Sequence, residues 1–213
     1  MKLTKHAHAC VELDKDGGRL VIDPGTLTPD AAQVIAGAAA VLVTHEHFDH
    51  VDEAALAAAL GARPDLRVYA PRAVCEKLGQ RPGQVFPVSA GDRFEAAGFA
   101  VQAHGREHAM IHPDIPIVEN VGYLIDERVF HPGDAYTGPG VPVDLLLMPT
   151  SGPWTRTSEA VDYVRAVRPG QLVQIHELML SELGQNTMAR FLGADGLTGI
   201  PFTILPAGES LTA

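Results

Sequence analysis

Apolar and polar positions change their period often along this chain, and each change marks an expected element. "LTKHAHACVEL" alternates loosely, "DKDGG" reads as a turn and "RLVIDPG" as a strand, which together predict one hairpin. "TPDAAQVIAGA" predicts a short helix with Thr28 as its N-cap and Pro29 at the first helical position. "AAVLVTH" is an unbroken apolar run, the pattern of a strand buried on both faces. The Ala/Leu-rich "VDEAALAAALGA" predicts a helix capped by Asp52 and stopped at Gly61.

Beyond it the pattern gives a strand at "LRVYA", a helix from Pro71 to about Leu78, and strands near "VFPV", "DRFEAAG" and "FAVQAHG". Arg106 to Asn120 has no period and is rich in His and Pro. "VGYLIDERVF" predicts a hairpin turning at Glu127 and Arg128, "VDLLLMP" a buried strand, and "TSEAVDYVRAVRP" a helix. "GQLVQIHE", "QNTMARFLG" and "IPFTILPAG" follow as strand, helix and last strand. Strands mixed with helices throughout, with no linker between them, predict an α/β or α+β chain whose residues 1–213 form a single domain. His45, Asp134, Thr150 and His176 each stand just past an apolar strand, where loops at one sheet edge can bring them together.

Composition narrows the function. A 46% hydrophobic and 20% charged chain packs a core, and Gly 21 with Pro 16 fits many short elements and tight turns. The formal charge of -10, without a Lys/Arg cluster, argues against a nucleic-acid partner. The first residues lack the apolar core of a signal peptide, and no stretch reaches membrane-span length, so the expected place is the cytoplasm with no membrane partner. Cys10 and Cys75 are the only cysteines, expected as reduced thiols. A homo-oligomer is left open.

The chemistry concentrates in "HEHFDH", where His45, His47, Asp49 and His50 are candidate ligands. Imidazole and carboxylate without cysteine suit zinc, manganese or iron, in a site that is not merely structural. Four donors so close in sequence cannot all reach one ion in good geometry. His45 and His47 could face one metal and Asp49 and His50 a second, with further ligands downstream.

"THEHFDH" resembles the signature of the metallo-β-lactamase superfamily, and four spaced motifs carry the resemblance from "VIDPG" to "QIHE". It implies an αββα four-layer sandwich, two packed mixed sheets flanked by helices. It also implies a later His, an Asp in a short loop and a last His. These positions fall to His104 or His108, to Asp134 in "HPGD", and to His176 in "QIHE". The residues alone leave His104 and His108 open; "GREHAMIHPDIP" resembles a stretch of a bacterial group in the superfamily that favours His108. One metal would then take His45, His47 and His108, the other Asp49, His50 and His176, with Asp134 bridging. Asp49 and Asp134 count as the catalytic carboxylates. Asp23 resembles the aspartate that braces the histidine loop. His112, His131 and Trp154 are candidates for supporting or substrate-facing roles. His8 could reach the site from the first hairpin, but an exposed strand histidine is the default expectation, and His6 is expected at the surface.

The implied activity is hydrolysis of an ester, lactone or phosphodiester in a small-molecule substrate. Its cofactors would be two divalent metal ions, Zn2+ first with Mn2+ or Fe as alternatives, and a metal-bridging hydroxide would be the nucleophile. Among superfamily groups the chain is most similar to small bacterial members resembling the ascorbate-6-phosphate lactonases. It lacks the cysteine ligand of antibiotic-cleaving members, the glutamate and flavin domain of the diiron oxygen reducers, and the basic arm of the transfer-RNA ribonucleases. A single-iron dioxygenase acting on persulfides and a non-catalytic metal-binding protein are the alternatives.

Overall fold

Successive residues of the central strands fall into different apolar clusters, and that alternation sets the architecture. Leu20, Ile22, Leu42, Leu145, Leu147, Val173 and Ile175 share one buried cluster. Their strand neighbours Val21 and Val41 join Ile35, Leu56, Leu60 and Val74 in a second, while Leu146, Met148 and Leu172 join Val161, Val164 and Leu192 in a third. A strand apolar on both faces must be covered twice, so two sheets pack face to face with helices on each outer side.

The computed structural model describes all 213 residues and has this form. One seven-stranded sheet runs β14 (Ser210–Thr212), β1 (Lys2–Ala7), β2 (Cys10–Lys15), β3 (Gly18–Ile22), β4 (Ala40–Leu42), β5 (Arg67–Ala70), β6 (Val85–Pro87). The other, also seven-stranded, runs β13 (Phe202–Thr203), β12 (Gln171–Ile175), β11 (Leu145–Pro149), β10 (Val129–His131), β9 (Gly122–Ile125), β8 (Phe99–His104), β7 (Arg93–Ala96). Helices α1 (Ala31–Gly37), α2 (Glu53–Ala62) and α3 (Arg72–Leu78) cover the first sheet, and α4 (Thr157–Val167) and α5 (Glu182–Leu192) the second. This is the αββα sandwich, and no helix is long and apolar enough to cross a membrane.

Parallel pairing decides where the polar residues go. Strands β3 to β5 are parallel to one another, as are β10 to β13, so each set ends on a common edge. Asp23, His45, Asp134 and His176 all lie in the loops just past those ends. The two edges are joined across the core by Tyr123, whose buried hydroxyl donates to the Val43 carbonyl at 2.9 Å.

Four local expectations are corrected. The first predicted hairpin is two, because "LTKHAHACVEL" turns back at His8 and Ala9, with Ala7 paired to Cys10. His8 takes a left-handed φ of 52°, which costs roughly 1 kcal/mol in a non-glycine residue. Thr28 does not cap α1: its N–H donates to the Gly25 carbonyl at 3.0 Å, and the helix starts after a left-handed Asp30. Gly61 does not stop α2, which ends when the Arg63 guanidinium ties down the carbonyls of Ala36 and Ala38. The "IPFTILPAG" strand is not the last, since Ser210–Thr212 pairs antiparallel with β1. Asp52 does cap α2, accepting from the Ala55 N–H at 2.9 Å.

Cys10 and Cys75 are free thiols. Burial pushes Cys75 up to about 11, and Cys10, fully enclosed, higher still. Alkylation needs the thiolate, so the rate at Cys75 is expected to rise about tenfold per pH unit up to that value. At pH 8, iodoacetamide followed by mass spectrometry is expected to show Cys75 reacting on the order of a hundredfold more slowly than free cysteine. Cys10 is expected to react only after unfolding.

Candidate metal centre

The turn after β3 and the loop after β4 form one unit. Asp23, wholly buried, accepts from the Thr44 N–H and the Thr44 hydroxyl, each at 2.7 Å, and from His50 Nδ1 at 2.6 Å. The Thr26 N–H donates to the Phe48 carbonyl and the Asp52 N–H to the Pro24 carbonyl. Gly25 is pressed so close to Asp49 that a Cβ there would meet the Asp49 carbonyl at 2.0 Å, so only glycine fits.

These contacts also choose the histidine tautomers. The Thr44 hydroxyl spends its one proton on Asp23, so its oxygen accepts from His45 Nδ1 at 3.0 Å. His108 Nδ1 donates to the Ala109 carbonyl at 2.6 Å. With Nδ1 protonated in His45, His50 and His108, all three turn an Nε2 lone pair towards the same space.

Three groups of donor atoms result, each with its atoms within 4.8 Å of one another: His45, His47 and His108; His45, His50 and Asp134; and His8, Asp49, His50 and His176. The structure therefore brings together all of His45, His47, Asp49, His50, His108, Asp134 and His176. Asp134 lies between the sets, with Oδ1 3.1 Å from His50 Nε2 and Oδ2 3.1 Å from His176 Nε2 and 3.4 Å from His108 Nε2. Its backbone is held by Asn120, whose side-chain oxygen accepts from the Asp134 N–H at 3.0 Å and whose amide donates to the Pro132 carbonyl. The Trp154 indole N–H donates to Asp134 Oδ2 at 3.0 Å.

Not every predicted residue joins the centre. His104 is half-buried against Phe130 and lies outside all three groups. His112 is exposed beside Asp114. His131 is buried and bonded to its own surroundings: Nε2 donates to the Ala9 carbonyl and Nδ1 accepts from the Gly133 N–H. His6 is only partly exposed and sits 3.6 Å from Glu12.

Two residues escaped the sequence reading. Asn120 belongs to no motif. His8, expected on an exposed strand, is buried at the tip of the first turn, its Nε2 3.1 Å from Asp49 Oδ2 and its ring centroid 3.8 Å from that of His176. The His8 carbonyl accepts from the His176 N–H, and the buried pair Lys5 and Glu177, 2.7 Å apart, ties the same turn to the same loop. The repeated small-residue spacing of "HAHAC" was the available signal, but it also fits an ordinary strand.

The residues fit a divalent cation. His50 Nε2, His108 Nε2, Asp134 Oδ1 and both ring nitrogens of His176 are buried without a hydrogen-bond partner, although they crowd together. Such a knot of unsatisfied donor atoms is costly unless a positive ion collects them. The charges agree: burial opposes ionisation of Asp134 and Asp49, yet the surrounding imidazoles hold both far below the usual carboxylate range. Burial likewise disfavours a charge on His50 and His176, but Asp134 and its neighbours outweigh it, lifting His50 well up and His176 to about 9, so each would hold a proton that a cation at the site must displace. Burial keeps His45 and His47 low, the neutral form a metal binds.

A sequence profile of the beta-lactamase superfamily domain matches residues 2–176. Protein Rv0786c of Mycobacterium tuberculosis is 37% identical over all of both chains. A UPF0173 metal-dependent hydrolase of Myxococcus xanthus is 29% identical, covering 82% of this chain and 70% of its own. In fold the chain is similar to Igni18, a metallo hydrolase from the archaeon Ignicoccus hospitalis, with a TM-score of 0.74, 20% identity, and 99% and 97% of the two chains covered. The chain belongs to the β-lactamase superfamily. Among its relatives there are proteins that carry the name metal-dependent hydrolase.

Replacing Asp23 by Ala strands the donors on Thr44 and His50. The expected cost is about 2–4 kcal/mol, or a fall in Tm of roughly 5–15 °C by calorimetry. An unchanged Tm would mean that Asp23 does not brace the loop.

Proposed function

We infer that this hydrolase works with two divalent metal ions and cleaves an ester, lactone or phosphodiester, residues 1–213 acting as one domain. The observation that carries this reading is the position of Asp134, whose Oδ2 lies near both His108 and His176 while Oδ1 lies near His50. His45, His47 and His108 would hold one ion, Asp49, His50 and His176 the second, and Asp134 both. Oxygen and imidazole donors in these numbers suit zinc first, then manganese or iron. Bound there, two such ions would acidify a water molecule and stabilise the negative charge on the attacking and leaving oxygens.

The chain's own residues supply the rest. Asp23 and Thr44 fix the tautomers of His45 and His50, so the ligand face of each ring is set before a metal arrives. Trp154 and Asn120 hold the Asp134 carboxylate and backbone in place. His8 donates from Nε2 to Asp49 Oδ2, the oxygen that also faces His176, and so holds that carboxylate in place.

The protein should be loaded with zinc and with manganese separately, then assayed on bis-p-nitrophenyl phosphate beside a lactone panel. Elemental analysis is expected to give two metal equivalents per chain, and Asp134→Ala at most one, with turnover down at least about a hundredfold. A single equivalent in the unaltered protein, or full turnover in Asp134→Ala, overturns the two-metal reading. Iron at one site with oxygen uptake would favour the dioxygenase alternative.

His8→Ala is expected to weaken the second metal equivalent by roughly 10- to 100-fold in a chelator competition, with Tm near the parent value. His8→Gln, which keeps a donor, should restore part of that affinity. Equal affinities in all three proteins would exclude a role for His8 at Asp49.

A further inference from the structure

The loops that carry the candidate ligands also carry the protein's exposed apolar side chains. Phe48, 65% exposed, stands between His47 and Asp49. Met110, Ile115 and Ile117 are exposed on the loop that begins at His108. Leu178, Met179 and Leu183 are exposed just after His176. Scattered apolar residues on a surface need no explanation, but here three of the four ligand-bearing loops show them within a few residues of a ligand.

One hollow joins this apolar surface to the site: His47 and His108 themselves line a small enclosed pocket with Ile111, Ile115, Ile117 and Val118. Cations are scarce by contrast. The loops 44–52, 132–142 and 176–181 contain no Lys or Arg, and the chain carries a formal charge of -10. Of the two arginines on the remaining site loops, Arg156 lies 3.5 Å from Glu159, which leaves Arg106. Away from the ions of the centre, a substrate with a phosphodiester charge would meet few side-chain cations, whereas an uncharged one with an apolar chain would cover surface now exposed to water.

We propose that the substrate is an uncharged carboxylic ester or lactone bearing an apolar chain, which lies across Phe48, Met110, Ile115 and Ile117 while the carbonyl faces the metal centre. This rests on the hydrolase reading above. Water adds its oxygen to the carbonyl carbon, the carbon–oxygen single bond breaks, and the departing oxygen takes a proton. The products are a carboxylic acid and an alcohol, or one hydroxy acid from a lactone.

The test compares γ-decalactone with γ-butyrolactone, and 4-nitrophenyl octanoate with the acetate, on the metal-loaded protein. The longer member of each pair is expected to have a kcat/KM about tenfold higher or more, mainly through KM, since each buried methylene favours binding. Phe48→Ser and Ile117→Ser, with Tm checked, should flatten that ratio. Binding of octanoate against acetate by calorimetry reads the same preference without turnover: octanoate should bind at least about tenfold more tightly, and less so in the variants. If no ester or lactone is hydrolysed but octanoate is preferred, the ester and lactone assignment falls, while the hydrolase reading is decided by the phosphodiester assay above. Equal kcat/KM and equal binding across chain lengths overturn the inference. So does a ratio untouched by both substitutions, or a dimer in sedimentation that Phe48→Ser separates, which would make this surface a contact between two copies.

Discussion

A carboxylate shut away from water is tolerable only when donors meet its lone pairs, and Asp23 meets that condition almost entirely with the loop that follows the next strand. Its partners are the backbone and hydroxyl of Thr44 and the Nδ1 of His50. The bracing therefore runs in both directions. The loop satisfies the carboxylate, and the carboxylate prevents the loop from relaxing into a form that would separate His45 from His50. Everything further out is positioned from there: the tautomers, the close approach of Gly25 to Asp49, and the direction of Phe48 away from the core.

The second sheet completes the site by a different device. Asp134 has no buried carboxylate beneath it; it is carried by a glycine turn and held by Asn120 and Trp154. A Cβ on Gly133, which has a φ of 65°, would meet Asn120 Oδ1 at 2.2 Å, so the turn and the amide fit only together. The site thus joins a rigid half built on Asp23 to a half held by side-chain amide and indole. The Tyr123 hydroxyl, reaching across the core to Val43, keeps the two in register.

How much of this could be read from the sequence depends on how far each signal is local. The two-faced strands were legible because "VLVT" and "LLLM" are apolar without interruption, and "HEHFDH" because its donors are consecutive. For the later histidine the residues alone left two positions open and only the resemblance of "GREHAMIHPDIP" favoured one; in the fold His104 ends its strand against Phe130, while His108 lies beside Asp134. His8 was misread because its turn uses a left-handed histidine and an alanine, with neither glycine, proline nor asparagine to mark it. Asn120 was invisible because its work is done by pairing with a loop that follows it by more than ten residues. The short β14 was missed because its pairing is with the opposite end of the chain.

That last pairing has a consequence for how the molecule is made. Strand β1 has β14 as one neighbour, and Lys5 exchanges backbone hydrogen bonds with Gly208 and Glu209. The turn that carries His8 lies at the end of the same strand and leans on Glu177 and His176. Strand β2 pairs with β1 directly, but the remaining supports of β1 lie far along the chain. Contacts that close loops of such length are slow to form. The corner that carries His8 is thus secured later than the hairpin to which it belongs, when both distant segments have folded against it.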